Sequence, residues 1–189
     1  SGHDETPTGN PSMFKWNDGT QSWDAVTNTN SEILNTGTYY RLYVRGDRAT
    51  DLSNNNAAQT ATTLRATGTL YTGDMNMTPT IADGEFFAMA NPYQAKIDMA
   101  SVSPANTGVD MYYWDPTLGV KGNYTAINIS SGTGTAGTAS NILDPGQAVF
   151  FAAATGATSL TVSVSDKVTG TSNQNVFRSN PLNGFVGIK

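Results

Sequence analysis

The chain has 189 residues, no cysteine, a single histidine at His3, and 15 acidic residues against 10 basic ones, for a net charge of -5. That length holds one domain of ordinary size. The lack of cysteine excludes a disulfide scaffold, a thiolate zinc site and a thiol nucleophile, and one histidine in a polar leader leaves little imidazole chemistry. An acidic balance argues against nucleic acid and anionic membrane, both of which are recruited by clustered positive charge.

Charged residues make up only 13% of the chain, so its surface is kept wet by Thr, Ser, Asn and Gly. No apolar run reaches the ~18 residues that a membrane span needs, and no membrane insertion is expected. Residues 1–12 read as a flexible leader or an expression scar, and 13–189 as a single module. Trp16 and Trp23 flank Asn17-Asp18-Gly19 in a loop-rich stretch, where the two rings would serve as lid or as platform. From Tyr39 to Arg45 the alternation places Tyr39, Arg41, Tyr43 and Arg45 on one strand face and Tyr40, Leu42 and Val44 on the other. The first face is either a cation-π ladder or a ligand platform. Arg45-Gly46-Asp47 spells the integrin-ligand tripeptide, but Asp47 in a turn bonded to local backbone is the better account.

Thr50–Thr60 reads as a low-complexity loop. Thr63–Tyr71 alternates cleanly and is expected to be a half-buried strand. Asp83 and Glu85 would share a strand face, and Phe86-Phe87 sits in a continuous apolar run suited to a central strand. Asn91-Pro92-Tyr93 is a corner in which the asparagine side chain is expected to bond neighbouring backbone. The one segment able to hold a short helix is 93–102. On Met111–Asp115, Tyr112 and Trp114 point one way and Met111 and Tyr113 the other, so one pair must be core. Ser130–Ser140 is a second low-complexity loop. Gln147–Ala153 is a second continuous run, entered through Pro145-Gly146, with the Gln147 amide expected to be bonded inside the fold. Leu160–Val164 alternates again, with Leu160, Val162 and Val164 inward.

About ten strand candidates separated by Gly, Asn, Asp and Pro signals predict an all-β, antiparallel, jelly-roll-like sandwich. The aromatic residues Trp16, Trp23, Tyr39, Tyr43 and Trp114 are the candidates for stacking on the apolar faces of sugar rings. Oxygen-rich loops offer Asp18, Asp74 and Asn76 as calcium candidates, and no other cofactor is expected. Carboxylate pairs for a glycoside hydrolase would be Asp83 with Glu85 or Asp110 with Asp115, although aspartate beside Gly or Pro ordinarily caps a turn.

Several of these motifs in order, Tyr39-Tyr40-Arg41-Leu42-Tyr43-Val44-Arg45-Gly46-Asp47-Arg48, Thr62–Leu70, Asn91–Asp98, Tyr112-Tyr113-Trp114-Asp115-Pro116 and Pro145–Phe151, resemble a β-rich module of large secreted or cell-surface proteins of Bacteroidota exported by type IX secretion. The resemblance covers roughly residues 36–178. It implies a module excised from a longer exported protein, secreted or held at the cell surface, with neighbouring domains of the parent as partners. It brings no catalytic residues with it. The leading expectation is therefore a non-catalytic adhesion or display module that meets a glycan or another cell-surface ligand. The alternative is a carbohydrate-binding module that tethers an enzyme to polysaccharide, and a glycoside hydrolase ranks third.

Overall fold

The computed structural model describes residues 11–28, 31–44, 46–51, 53–54, 57–58, 60, 62–63, 66–79, 81–105, 107–115, 118–119, 122–135, 140–153 and 159–169. Of the leader expected over residues 1–12, the first ten lie outside them, as do Arg45, Leu64, Arg65 and parts of both low-complexity loops.

The fold is all-β and antiparallel, as the period-two alternation predicts. Strands in chain order are β1 (Met13–Asn17), β2 (Ser22–Ala25), β3 (Tyr40–Leu42), β4 (Met75–Met77), β5 (Phe86–Ala90), β6 (Lys96–Asp98) and β7 (Ser103–Ala105). They continue with β8 (Thr107–Asp115), β9 (Asn123–Asn128), β10 (Ile142–Leu143), β11 (Ala148–Ala153), β12 (Ser159–Val162) and β13 (Lys167–Val168). The central sheet runs β5-β11-β8-β9, and three smaller sheets run β4-β12-β7, β10-β6-β13 and β2-β1-β3.

One core joins the layers. From the inner face of the central sheet come Phe87, Met89, Met111, Tyr113, Ile127, Val149 and Phe151, and from the two small sheets opposite come Leu160 and Val162 with Ile97 and Leu143. Phe87 and Phe151 are register partners across β5 and β11, and their rings stack at 4.9 Å and 20°. Burying each such ring stabilises the fold by roughly 1.5–3 kcal/mol. The sandwich-like arrangement thus comes from one two-sided sheet, with a packed inner face and an outer face covered in part by β2-β1-β3.

Asn91 and Gln147 form the polar corner of this core. The Asn91 side-chain amide donates to the carbonyls of Ala95 at 2.9 Å and Leu143 at 3.0 Å, while its oxygen accepts the Tyr93 N–H at 2.9 Å. Gln147 Nε2 donates to the Tyr113 hydroxyl at 2.8 Å, and Oε1 accepts the Asp144 N–H at 2.7 Å. Gly146 makes this turn possible with φ of 80°, a conformation that side chains other than hydrogen resist.

Two sequence expectations change. The segment 93–102 is not a helix: it bends, enters β6 and turns again. Asn91 takes the Tyr93 N–H and the Ala95 carbonyl, and Ile97 and Met99, two apart and fully buried, follow strand periodicity. The described residues of Thr63–Tyr71 form no strand, and Leu70 is 66% exposed. Alternation is necessary for a half-buried strand but not sufficient, because Ala66 and Gly68 offer too little apolar surface to hold the segment against the core. A smaller correction concerns Val164, which leaves β12 for the 3₁₀ turn Val164–Asp166 and is exposed.

Asn91→Ala and Gln147→Ala are each expected to lower the unfolding free energy by about 2–4 kcal/mol, since several buried partners lose their bonds at once. Urea unfolding should show an earlier midpoint at unchanged m-value. A loss under about 1 kcal/mol in both variants would remove the corner from its structural role.

Candidate functional site: an aromatic bowl on the outer face

Strand alternation sends one member of each aromatic pair inward and the next outward. Phe86 on β5, Phe150 on β11, Tyr112 and Trp114 on β8, and Tyr124 on β9 therefore share the outer face of the central sheet. Register draws them together: Phe150 lies opposite Tyr112 across β11 and β8, and Trp114 opposite Tyr124 across β8 and β9. Of the two pairs on β8, Met111 with Tyr113 is the core pair and Tyr112 with Trp114 the outer one.

The β1–β2 hairpin then lays a second set of rings on this face. Trp16 and Trp23 are cross-strand partners, with centroids 5.4 Å apart at 71°. Trp16 meets Phe150 at 4.8 Å and 79°, and Tyr39, just before β3, meets Phe150 at 4.9 Å and Trp23 at 5.2 Å. Phe150 is thus a nearly buried floor. Trp16, Trp23, Phe86, Tyr112, Tyr124 and Phe150 enclose an open bowl of ≈ 360 Å³ with no charged group in its lining. Adjacent rings meet edge to face, as aromatic quadrupoles prefer. The Tyr39 and Tyr124 hydroxyls interact, and burial raises the pKa of both, so each stays protonated and neutral through the physiological range.

Two side chains of the hairpin turn fasten this wall to the edge of the central sheet. Gln21, the one non-glycine described residue with positive φ (52°), reaches β5 with its amide: Oε1 accepts the Phe86 N–H at 2.8 Å and Nε2 donates to the Phe86 carbonyl at 2.7 Å. Asp18 Oδ1 accepts the Ala88 N–H at 3.0 Å, and the Gly37 carbonyl takes the Ala90 N–H at 2.8 Å. Successive outward N–H groups of an edge strand are thereby satisfied without a further strand, which closes an edge that would otherwise invite pairing.

The sequence candidates divide under this geometry. Trp16, Trp23 and Tyr39 join the cluster, and Trp114 stands at its rim, 39% exposed and edge-on to Tyr124 at 5.0 Å. Tyr43 does not join: β3 ends at Leu42, and Tyr43 is 54% exposed with its N–H on the Ser12 carbonyl. The strand is shorter than its alternation promised, so the Tyr39 face does not extend to Tyr43. Arg41 lies over the Trp23 ring at 4.6 Å and the Phe14 ring at 4.9 Å, the cation-π arrangement rather than a free platform.

Asp18, Asp74 and Asn76 use oxygens on the Ala88 N–H, the Val164 N–H and the Thr161 hydroxyl respectively. No group of three or more Asp, Glu, His or Cys gathers among the described residues. Asp110 and Asp115 lie five positions apart on β8, hence on opposite faces and about 17 Å apart along the strand. Asp83 and Glu85 both precede β5, where Glu85 accepts the Ala82 N–H at 2.7 Å, so they share no strand face. Asp47 accepts the Ala49 N–H at 2.7 Å and closes its own turn. Among the described residues no helix is long and apolar enough to cross a membrane.

From sequence alone Phe86 and Phe150 read only as parts of core runs, alternation leaves Tyr112 undecided, and nothing local marks Tyr124. The signal for Tyr124 was the β8–β9 register, which pairs it with Trp114 and which composition does not encode.

Burial holds the Asp18 carboxyl above its ordinary value of 3.8, against the opposing pull of the Ala88 N–H and the nearby Trp16 indole, whose own N–H falls outside hydrogen-bond geometry. The folded chain binds this proton more tightly than the unfolded one, so Asp18 favours folding most below the ordinary aspartate value and less as pH climbs through the window up to its raised value. Asp18→Asn keeps an acceptor for Ala88 and cannot ionise. Its stability relative to the native chain is expected to rise with pH above 3.8 in paired thermal melts; a flat difference would remove Asp18 from the pH response. At the rim, Gly122 has φ of 87° and a Cβ there would come within 2.7 Å of the Trp114 ring. Gly122→Ala should cost about 1–2 kcal/mol and shift tryptophan emission as Trp114 is displaced; unchanged emission would mean the ring is not seated on this glycine.

Comparison of the chain with protein-family models, with curated proteins and with solved structures finds no match.

Proposed function

We propose that the chain is a non-catalytic adhesion or display module of a multidomain bacterial surface protein, and that it makes contact through the aromatic bowl. The observation that carries this reading is the convergence of six rings from six strands on one solvent-open, uncharged concavity. Apolar surface gathered into a concave patch is the usual mark of a contact site. The carboxylate pairs considered for hydrolysis serve turns or point to opposite faces, which leaves the bowl as the best-supported site. The secreted or cell-surface setting rests on the resemblance to the Bacteroidota module.

A carbohydrate-binding module that tethers an enzyme to polysaccharide is the second reading, favoured by the exposed Trp114 and Tyr124 at the rim. Beads bearing the chain are expected to adhere to mucin-, matrix-protein- or polysaccharide-coated surfaces under flow. Phe86→Ala and Tyr124→Ala should each cut adhesion about tenfold, the scale of 1.4 kcal/mol. Leu70→Ala, an exposed apolar residue not in the bowl lining, is the control and should leave adhesion unchanged. Equal adhesion of all variants would remove the bowl from the contact. Retention on insoluble cellulose or chitin alone would favour the tethering role.

A further inference from the structure

The bowl carries more than a general contact role, because its size, charge and ring angles together narrow what can occupy it. We propose that it binds one terminal, neutral pyranose ring of a glycan. This rests on the bowl being the contact surface and names the ligand class for it.

Size comes first. A cavity of ≈ 360 Å³ lies at the low end of the roughly 300–1,000 Å³ of small-molecule sites, which suits a single ring better than an extended chain. Charge comes second. The six lining side chains are uncharged, and Arg41, held against the Trp23 and Phe14 rings, is not among them. A uronic acid, a sialylated end or a phosphate would be desolvated there without a partner, at a large cost. An ammonium ligand would have to compete with Arg41, which already lies over the Trp23 ring at 4.6 Å.

Ring geometry decides between a terminal sugar and a polymer. A chain of sugars lying along a surface needs successive rings in a common plane. Here Trp16 and Trp23 cross at 71°, Phe86 and Tyr112 at 84°, and Phe86 and Phe150 at 75°. Perpendicular walls make a corner that holds one ring from two sides and blocks its continuation. The polar atoms of the lining residues complete the match. The Tyr112 hydroxyl and the Trp23 indole N–H belong to the lining residues, and neither atom is buried without a partner. A ligand with apolar C–H faces and hydroxyls around its edge uses both kinds of surface at once. A purely aliphatic or aromatic side chain would leave those donors unused.

The test is a calorimetric and tryptophan-fluorescence titration of the full chain with methyl glycosides of glucose, galactose and N-acetylglucosamine, with glucuronate, with linear oligosaccharides, and with N-acetyltryptophanamide as an aromatic peptide probe. At least one neutral methyl glycoside should saturate, with glucuronate at least about tenfold weaker and no gain in affinity along an oligosaccharide series. Tyr112→Ala should abolish the signal, and Tyr112→Phe, which keeps the ring, should weaken it several-fold at an unchanged melting temperature. Affinity that climbs with chain length overturns the terminal-ring assignment. Binding of N-acetyltryptophanamide but of no sugar, lost in Tyr112→Ala, overturns the ligand class while leaving the bowl as contact surface. If no probe binds in a Tyr112-dependent way, the proposal and the bowl reading fall together.

Discussion

Everything in this molecule turns on β11 being a strand with two apolar faces. Phe150 and Phe151 are consecutive, so pleating must send them in opposite directions, and a strand in the middle of a sheet has somewhere to bury both. Phe151 stacks on Phe87 in the core, while Phe150 becomes the floor on which Trp16, Tyr39 and Tyr124 rest. A slip of one residue in this register would exchange the faces, placing Val149 and Phe151 outside and dissolving core and bowl together. One constraint thus sets the interior and the candidate site.

The second face could not stay half covered without a fastening. The β2-β1-β3 sheet contributes aromatic wall, yet no strand of it pairs with the central sheet. Side chains take over what a ladder would do. Gln21 offers both an amide donor and an acceptor to Phe86, which is the pattern of a backbone pair, and Asp18 takes the next outward N–H. The positive φ of Gln21 is the local strain that lets its amide reach the edge. The same contacts tie edge protection to site assembly, since the hairpin that shields β5 also carries Trp16 and Trp23.

A bowl built this way has perpendicular walls for a physical reason. Rings arriving from two sheets meet edge to face, Trp16 and Trp23 on Phe150 at 79° and 82°, because their quadrupoles oppose a coplanar row. The shape of the bowl therefore arises from packing and not from a dedicated loop. The uncharged lining has a compositional origin: with charged residues at only 13% of the chain, two-sided apolar strands carry few charges to either face.

What the residue order determined by itself is the strand class and the location of the paired aromatics. Alternation, proline corners and the Asn91 and Gln147 signals are local, and local geometry enforces them. The length of β3, the failure of the described residues of Thr63–Tyr71 to form a strand and the extended path of 93–102 depended on whether a partner and a core were within reach, which alternation does not report. The site itself was decided only by the tertiary structure. Trp16, Trp23, Tyr112, Tyr124 and Phe150 are scattered along the chain and become neighbours through antiparallel register and the Gln21 fastening, and a contact between distant segments is a property of the folded pairing, not of any one segment.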